Sequence, residues 1–182
     1  GFPALAPGAV RGMVGHGLEK LLEQAVGLEV AAEGVRLFRE RYPEVAVEKS
    51  RLLPDVAEVI ATLGTRGHPM AVASNKPSGF SRMILDAKGV GSLLHAVAGP
   101  DAGTPAKPDP TMLRRIMQTV GVGPAETIVV GDMEVDSEFA RAAGCRVVLI
   151  PGGSRTRAEL DGVDADAFLE RMGDLPGWLA AQ

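Results

Sequence analysis

The chain has 182 residues, enough for one domain with at most a small second one, and its 46% hydrophobic and 23% charged residues are an ordinary globular balance. A surplus of 23 Asp and Glu over 19 Lys and Arg argues against an electrostatic nucleic-acid binder, because counterion release needs clustered cations. The single cysteine, Cys145, excludes an intramolecular disulfide and a cysteine-only zinc site. No apolar run reaches the roughly 18 residues of a membrane span, and the expectation is a cytoplasmic protein without signal peptide or membrane contact.

Up to about residue 50 the apolar positions recur at helical spacing. Leu18, Leu21, Leu22, Ala25 and Val26 form one stripe, with Glu19, Lys20, Glu23 and Gln24 on the opposite face. Val30, Ala31, Gly34, Val35, Leu37, Phe38 and Tyr42 predict a second helix, ended by Pro43. Residues 1–49 therefore read as a small helical unit. From residue 50 to 182 the pattern changes to short apolar runs alternating with amphipathic stretches, the junction falling near Leu53-Pro54. Strands are predicted at Met70–Ala73, Ala96–Ala98, Ile128–Val130 and Val147–Ile150, and helices near 54–66, 78–88, 110–120, 135–143 and 175–181. Such alternation implies βαβ crossovers and a mostly parallel sheet covered on both faces. Asp109-Pro110 is a helix start, with Asp109 as N-cap, and Gly121 and Gly144 are placed to stop helices.

In an open parallel sheet the ligand crevice lies beyond the carboxyl ends of the strands, so the residues that follow each apolar run are the informative ones. Ser74, Asn75 and Lys76 follow the first run, and Lys107 lies in the loop after the second. Gly131, Asp132 and Asp136 follow the third. If these runs are parallel neighbours, a hydroxyl, an amide, an ammonium and two carboxylates gather at one edge, a set suited to a phosphate ester with Mg²⁺. Each element alone has a plainer reading. Ser74-Asn75 makes a turn or cap, Lys107 a solvated cation, and Gly131-Asp132 a strand exit. Cys145 reads as a small buried hydrophobe, and His16, His68 and His95 have no ligand spacing. The weight rests on the ordered series. No G-x-x-x-x-G-K-[ST] phosphate loop and no G-x-S-x-G elbow occurs.

The series resembles the haloacid dehalogenase superfamily, in its phosphoglycolate phosphatase-like branch. Leu52-Leu53-Pro54-Asp55-Val56 and Ala71-Val72-Ala73-Ser74-Asn75-Lys76-Pro77 are similar to that branch's entry to the core and second motif. Lys107-Pro108-Asp109-Pro110 resembles the third motif, and Val130-Gly131-Asp132-Met133-Glu134-Val135-Asp136 the fourth. Val10 to Leu18, containing Gly15-His16-Gly17, resembles the first stretch of a helical cap. The resemblance implies a three-layer α/β/α Rossmann-like core with a mostly parallel sheet, spanning 50–182, and a partial helical cap over 1–49. It implies a Mg²⁺-dependent phosphatase acting on a small phosphorylated metabolite, phosphoglycolate first among them. Ser74 would bond the transferring phosphoryl group, Asn75 would support that loop, and Lys107 would stabilise the charge. Asp132 would ligate Mg²⁺, with Asp136 acting directly or through water. Gly15, His16 and Gly17 would help set substrate choice. Met133 departs from the serine often found after the Gly-Asp pair.

One departure is larger. Members of the superfamily open with a strand ending in D-x-D-G-T, whose first Asp is the nucleophile and second the acid/base. Here all ten aspartates lie at or after Asp55. The expectation is that a segment of roughly 20–30 residues, with a mean strand, a turn and a first cap helix, is missing. That strand would sit between those ending at Ser74 and Asp132. Alternatives on the same residues are a catalytically inactive pseudophosphatase that binds phosphate or metal, and a phosphomutase.

Overall fold

The computed structural model describes residues 3–101 and 103–182. Three helices come first: α1 (Pro7–Met13), α2 (Leu18–Val26) and α3 (Leu28–Lys49). The α2 stripe packs against α3 as its spacing predicts, so closely that a Cβ on Gly34 would lie 2.7 Å from Leu22 Cδ1. The second helix does not end at Pro43 but runs on to Lys49 with Pro43 inside it. Proline deprives the Arg39 carbonyl of its helical partner, yet both residues lie on the exposed face of the helix. Beyond Pro43 the helix buries Ala46, which is 1% exposed, and that burial holds the last turns in place.

The chain then alternates. In order come α4 (Val56–Thr65), β1 (Ala71–Ala73), α5 (Ser78–Ala87), β2 (Ala96–Ala98) and α6 (Thr111–Val120). They are followed by β3 (Ile128–Gly131), α7 (Glu134–Ala143), β4 (Arg146–Leu149), β5 (Ala167–Phe168) and α8 (Leu175–Ala180). The Asp109 carboxylate accepts the Thr111 N–H at 2.9 Å and so caps α6 as expected. Gly121 and Gly144 stop α6 and α7 in left-handed geometry that glycine adopts without strain. The four predicted strands are present within a residue of their expected bounds. The two-residue β5 carried no apolar run long enough to announce it.

Every strand pair is parallel. The strands form two sheets among the described residues, β1–β2 and β3–β4–β5, and β1 and β3 share no ladder. Val147, Val148 and Leu149 of β4 are fully buried. On one face lie Met112, Leu113 and Ile116 of α6 with Phe139 of α7, and on the other Val59 and Leu63 of α4 with Leu175 of α8. A central parallel strand covered by helices on both sides is the three-layer arrangement.

Between β1 and β3 runs a groove of about 800 Å³, walled by Ala71 and Val72 on one side and Ile128 and Val130 on the other. The Met70 carbonyl accepts from His95 N and Ser74 N donates to the Ala98 carbonyl. In a parallel ladder successive residues point their backbone groups to opposite sides, so Ala71 and Ala73 present theirs to the groove. On the other wall Gly131 faces β4, its carbonyl accepting Ile150 N–H at 2.9 Å, which turns Val130 toward the groove. Val130 is 37% exposed although it stands in the middle of the strand layer.

Candidate active site

The loops leaving β1 and β3, together with the Lys107 segment, converge at the carboxyl ends of the strands. Ser74 Oγ accepts the Lys76 N–H at 3.1 Å, which curls the chain directly after β1. Asn75 then reaches the Lys107 segment through both ends of its amide. Oδ1 accepts Lys107 N–H at 2.6 Å, and Nδ2 donates to the Lys107 carbonyl at 3.0 Å. So held, Lys107 extends its ammonium to the Ala73 carbonyl at 3.1 Å and to Asp136 Oδ1 at 2.7 Å. The Lys107 and Asp136 side chains are only 13% and 7% exposed.

Asp136 stands in the first turn of α7, and its other oxygen accepts the N–H groups of Asp132 and Met133, both at 3.1 Å. One carboxylate thereby caps the helix, shapes the Gly131-Asp132-Met133 turn and fixes the lysine. Gly131 is required here, because a Cβ would overlap the Asp136 side chain. Asp132 Oδ2 accepts the N–H of Ser154, from the loop that follows β4. Gly153 in that loop lies so close that a Cβ would strike the same carboxylate. The other Asp132 oxygen has no hydrogen-bond partner among the described residues, and Asp132 lines the groove between β1 and β3. The described residues contain no group of three or more His, Cys, Asp or Glu arranged to hold a metal.

Gly15 joins this centre. Its carbonyl accepts Asn75 Nδ2–H at 2.7 Å, and a Cβ on it would lie 2.7 Å from Met133 Cε. His16 is exposed, although its charge is felt at Glu134. Gly17 has open space around it and serves the turn into α2, with φ of 96°. Of the eight residues singled out from the sequence, Ser74, Asn75, Lys107, Asp132, Asp136 and Gly15 are thus brought together, and His16 and Gly17 lie further out.

Sequence reasoning passed over the loop after β4 and its partners. Arg11 donates from Nε and Nη2 to the Ser154 carbonyl at 2.9 and 2.8 Å. Arg155 forks onto both oxygens of Glu134 at 3.1–3.2 Å. Burial works to raise the Glu134 pKa, but its helix-start N–H, Arg155 and His16 outweigh it and hold the carboxyl below its ordinary value. Pro151-Gly-Gly-Ser follows a strand as Ser74 and Asp132 do, so the strand-end rule contained the signal. Cys145 is buried, its Sγ 3.7 Å from Met117 Sδ, and burial raises its pKa away from reactivity.

The arrangement offers a fixed ammonium, a hydroxyl and a carboxylate oxygen around one strand-end crevice, the equipment for an oxyanion such as phosphate. A family model described as haloacid dehalogenase-like hydrolase matches residues 1–150. The chain is similar to a phosphoglycolate phosphatase of Pectobacterium atrosepticum, with 32% identity over 96% of this chain and 77% of the relative. A plasmid-borne phosphoglycolate phosphatase of Cupriavidus necator is 29% identical over 98% of this chain and 80% of its own. Among solved structures, one described as a predicted phosphoglycolate phosphatase from Haemophilus somnus superposes with a TM-score of 0.89 at 26% identity, covering 97% of this chain and 84% of that one. A haloacid dehalogenase-like protein of Streptococcus pneumoniae shares the fold, with a TM-score of 0.84 at 18% identity over 97% of this chain and 83% of its own. The chain belongs to the haloacid dehalogenase-like hydrolase family.

Proposed function

We propose that the site hydrolyses phosphate monoesters of small metabolites, with phosphoglycolate as the first candidate, and that residues 1–49 form a cap over it. The observation that carries this reading is the Lys107 ammonium, held by the Ala73 carbonyl and Asp136 beside Ser74 and Asp132. Ser74 donates its hydroxyl to a phosphoryl oxygen, Lys107 neutralises charge that builds there, and Asn75 keeps both loops in register. Mg²⁺ suits the donor chemistry, since it takes only one or two carboxylates and fills its remaining positions with water and phosphate oxygens. Asp132 would hold it, with Asp136 behind. When bound, the cation would draw charge from the phosphoryl group.

The nucleophile in this reading is a carboxylate carried by an extended segment that fills the groove between β1 and β3. The groove supports it, because both walls are parallel strands with backbone groups turned inward, and the position lies beside Lys107 and Asp132. The carboxylate attacks phosphorus, the bond from phosphorus to the ester oxygen breaks, and that oxygen takes a proton from water to leave as the alcohol. A second water then hydrolyses the acyl phosphate, releasing phosphate and restoring the carboxylate. A second reading, phosphate binding without turnover, needs only the Lys107 ammonium and the Ser74 hydroxyl at the strand ends. The test is hydrolysis of 2-phosphoglycolate and of an aryl phosphate by the full-length gene product and by the 182-residue chain. The expected result is turnover by the full-length protein that stops in excess chelator and returns with Mg²⁺. Full activity in chelator refutes the proposal, and inorganic phosphate bound without hydrolysis by the full-length protein selects the second reading.

A further inference from the structure

A primary amide carries one acceptor oxygen and two N–H donors, and those of Asn75 go to three places. Oδ1 takes Lys107 N–H, and Nδ2 gives to the Lys107 carbonyl and to the Gly15 carbonyl. The orientation is dictated by these partners, since a flipped amide would set its oxygen against two carbonyls and its NH₂ against an N–H. One half of the side chain thus imitates a strand neighbour for the Lys107 backbone. The other half grips the loop between α1 and α2. Gly15, at φ of 133° and packed on Met133, brings that loop's backbone close enough to be gripped.

We propose that Asn75 is a positioning residue that couples docking of the cap to placement of Lys107. The inference rests on the cap and lysine roles proposed above. Withdrawal of Gly15 breaks a hydrogen bond to the same amide that orients the Lys107 segment, so each contact favours the other. Arg11 makes a separate tie from the same end of the cap to the Ser154 carbonyl, so its removal loosens the cap without altering the Asn75 side chain.

Amide hydrogen exchange on the ligand-free chain tests this. The seven-residue α1 has no buried residue, and so short a helix does not persist undocked; its amide protection therefore reports cap docking. The Lys107 N–H reports the other arm, and Val147–Leu149 in the buried β4 serve as the reference for an intact core. Asn75→Ala is expected to speed exchange about tenfold in α1 and at Lys107 together, the size of losing one ordinary hydrogen bond. Asn75→Asp keeps an acceptor for Lys107 N–H but turns a carboxylate oxygen on both the Gly15 and the Lys107 carbonyls. It is expected to release α1 as Asn75→Ala does, while the Lys107 N–H, which keeps its acceptor, speeds by only about threefold. Arg11→Ala leaves the Asn75 amide in place and is expected to speed α1 and, through that amide, the Lys107 N–H in the same direction by a smaller factor. The proposal is overturned if Asn75→Ala frees only one arm, or if Asn75→Asp leaves α1 protected. No substrate enters the measurement, so a failed phosphatase assay and a failed exchange pattern are separate results.

Discussion

The Lys107–Asp136 pair lends itself to a double-mutant cycle. At 2.7 Å and an effective dielectric of about 20, two unit charges attract by about 6 kcal/mol. Desolvation of both groups opposes this, and Ala73 and the two α7-turn amides share the charge, so the coupling left to measure is about 2 kcal/mol. Lys107→Met leaves Asp136 buried with its backbone N–H groups alone, and Asp136→Asn leaves the ammonium with a carbonyl and no counter-charge. Each is expected to cost about 3 kcal/mol. The double variant is expected to cost about 4 rather than about 6 kcal/mol. Urea unfolding at neutral pH, with a common slope across the four proteins, supplies the midpoints. Single costs that add to within about 0.5 kcal/mol refute a direct interaction between the two side chains.

Two further outcomes follow from the same neighbourhood and from the sheet edge. Gly131→Ala drives a methyl group into the Asp136 side chain and is expected to lower stability by about 1–3 kcal/mol; a melting curve matching wild type contradicts the fit described. Asp166 is held below its ordinary value of 3.8, chiefly because it accepts Val147 N–H and then because Arg141 pairs with it, and Asp164 is lowered by Arg141 as well. A lowered folded pKa contributes stability above the unfolded value that is lost as pH falls through the folded one. Asp166→Asn is therefore expected to lower the melting temperature by about 2–4 °C at pH 7, with the gap closing below pH 3.8. A gap that persists unchanged at pH 2–3, read by thermal melts, contradicts that linkage.

Strand-end logic on single apolar runs placed Ser74, Lys107 and Asp132 at one crevice, because residues that leave parallel strands have only one edge to occupy. Local chemistry likewise announced the Asp109 cap and the Gly121 and Gly144 stops. Three things depended on tertiary context. Pro43 continues α3 because the burial of Ala46 outweighs a broken backbone bond, and a one-dimensional pattern does not contain that balance. The two-residue β5 exists through its pairing with β4 and carries no period of its own. Arg11 is separated from Ser154 by 143 residues, so no local spacing could join them. Asp136 is the instructive case: its position four residues after Asp132 suggested a metal carboxylate, and folding gives it a helix cap and the lysine to hold.

The chain has one tryptophan, Trp178, on α8. It packs on the cluster of Leu63, Ile150 and Leu175, with the Arg146 guanidinium 5.8 Å from the ring centre. Leu175 and Leu179 of the same helix line the groove between β1 and β3. The indole therefore belongs to the same cluster as side chains that line the groove. Its emission comes from a single emitter, with no second tryptophan to blur the signal. An unlabelled sample carries its own optical gauge of whether that groove is wet or filled.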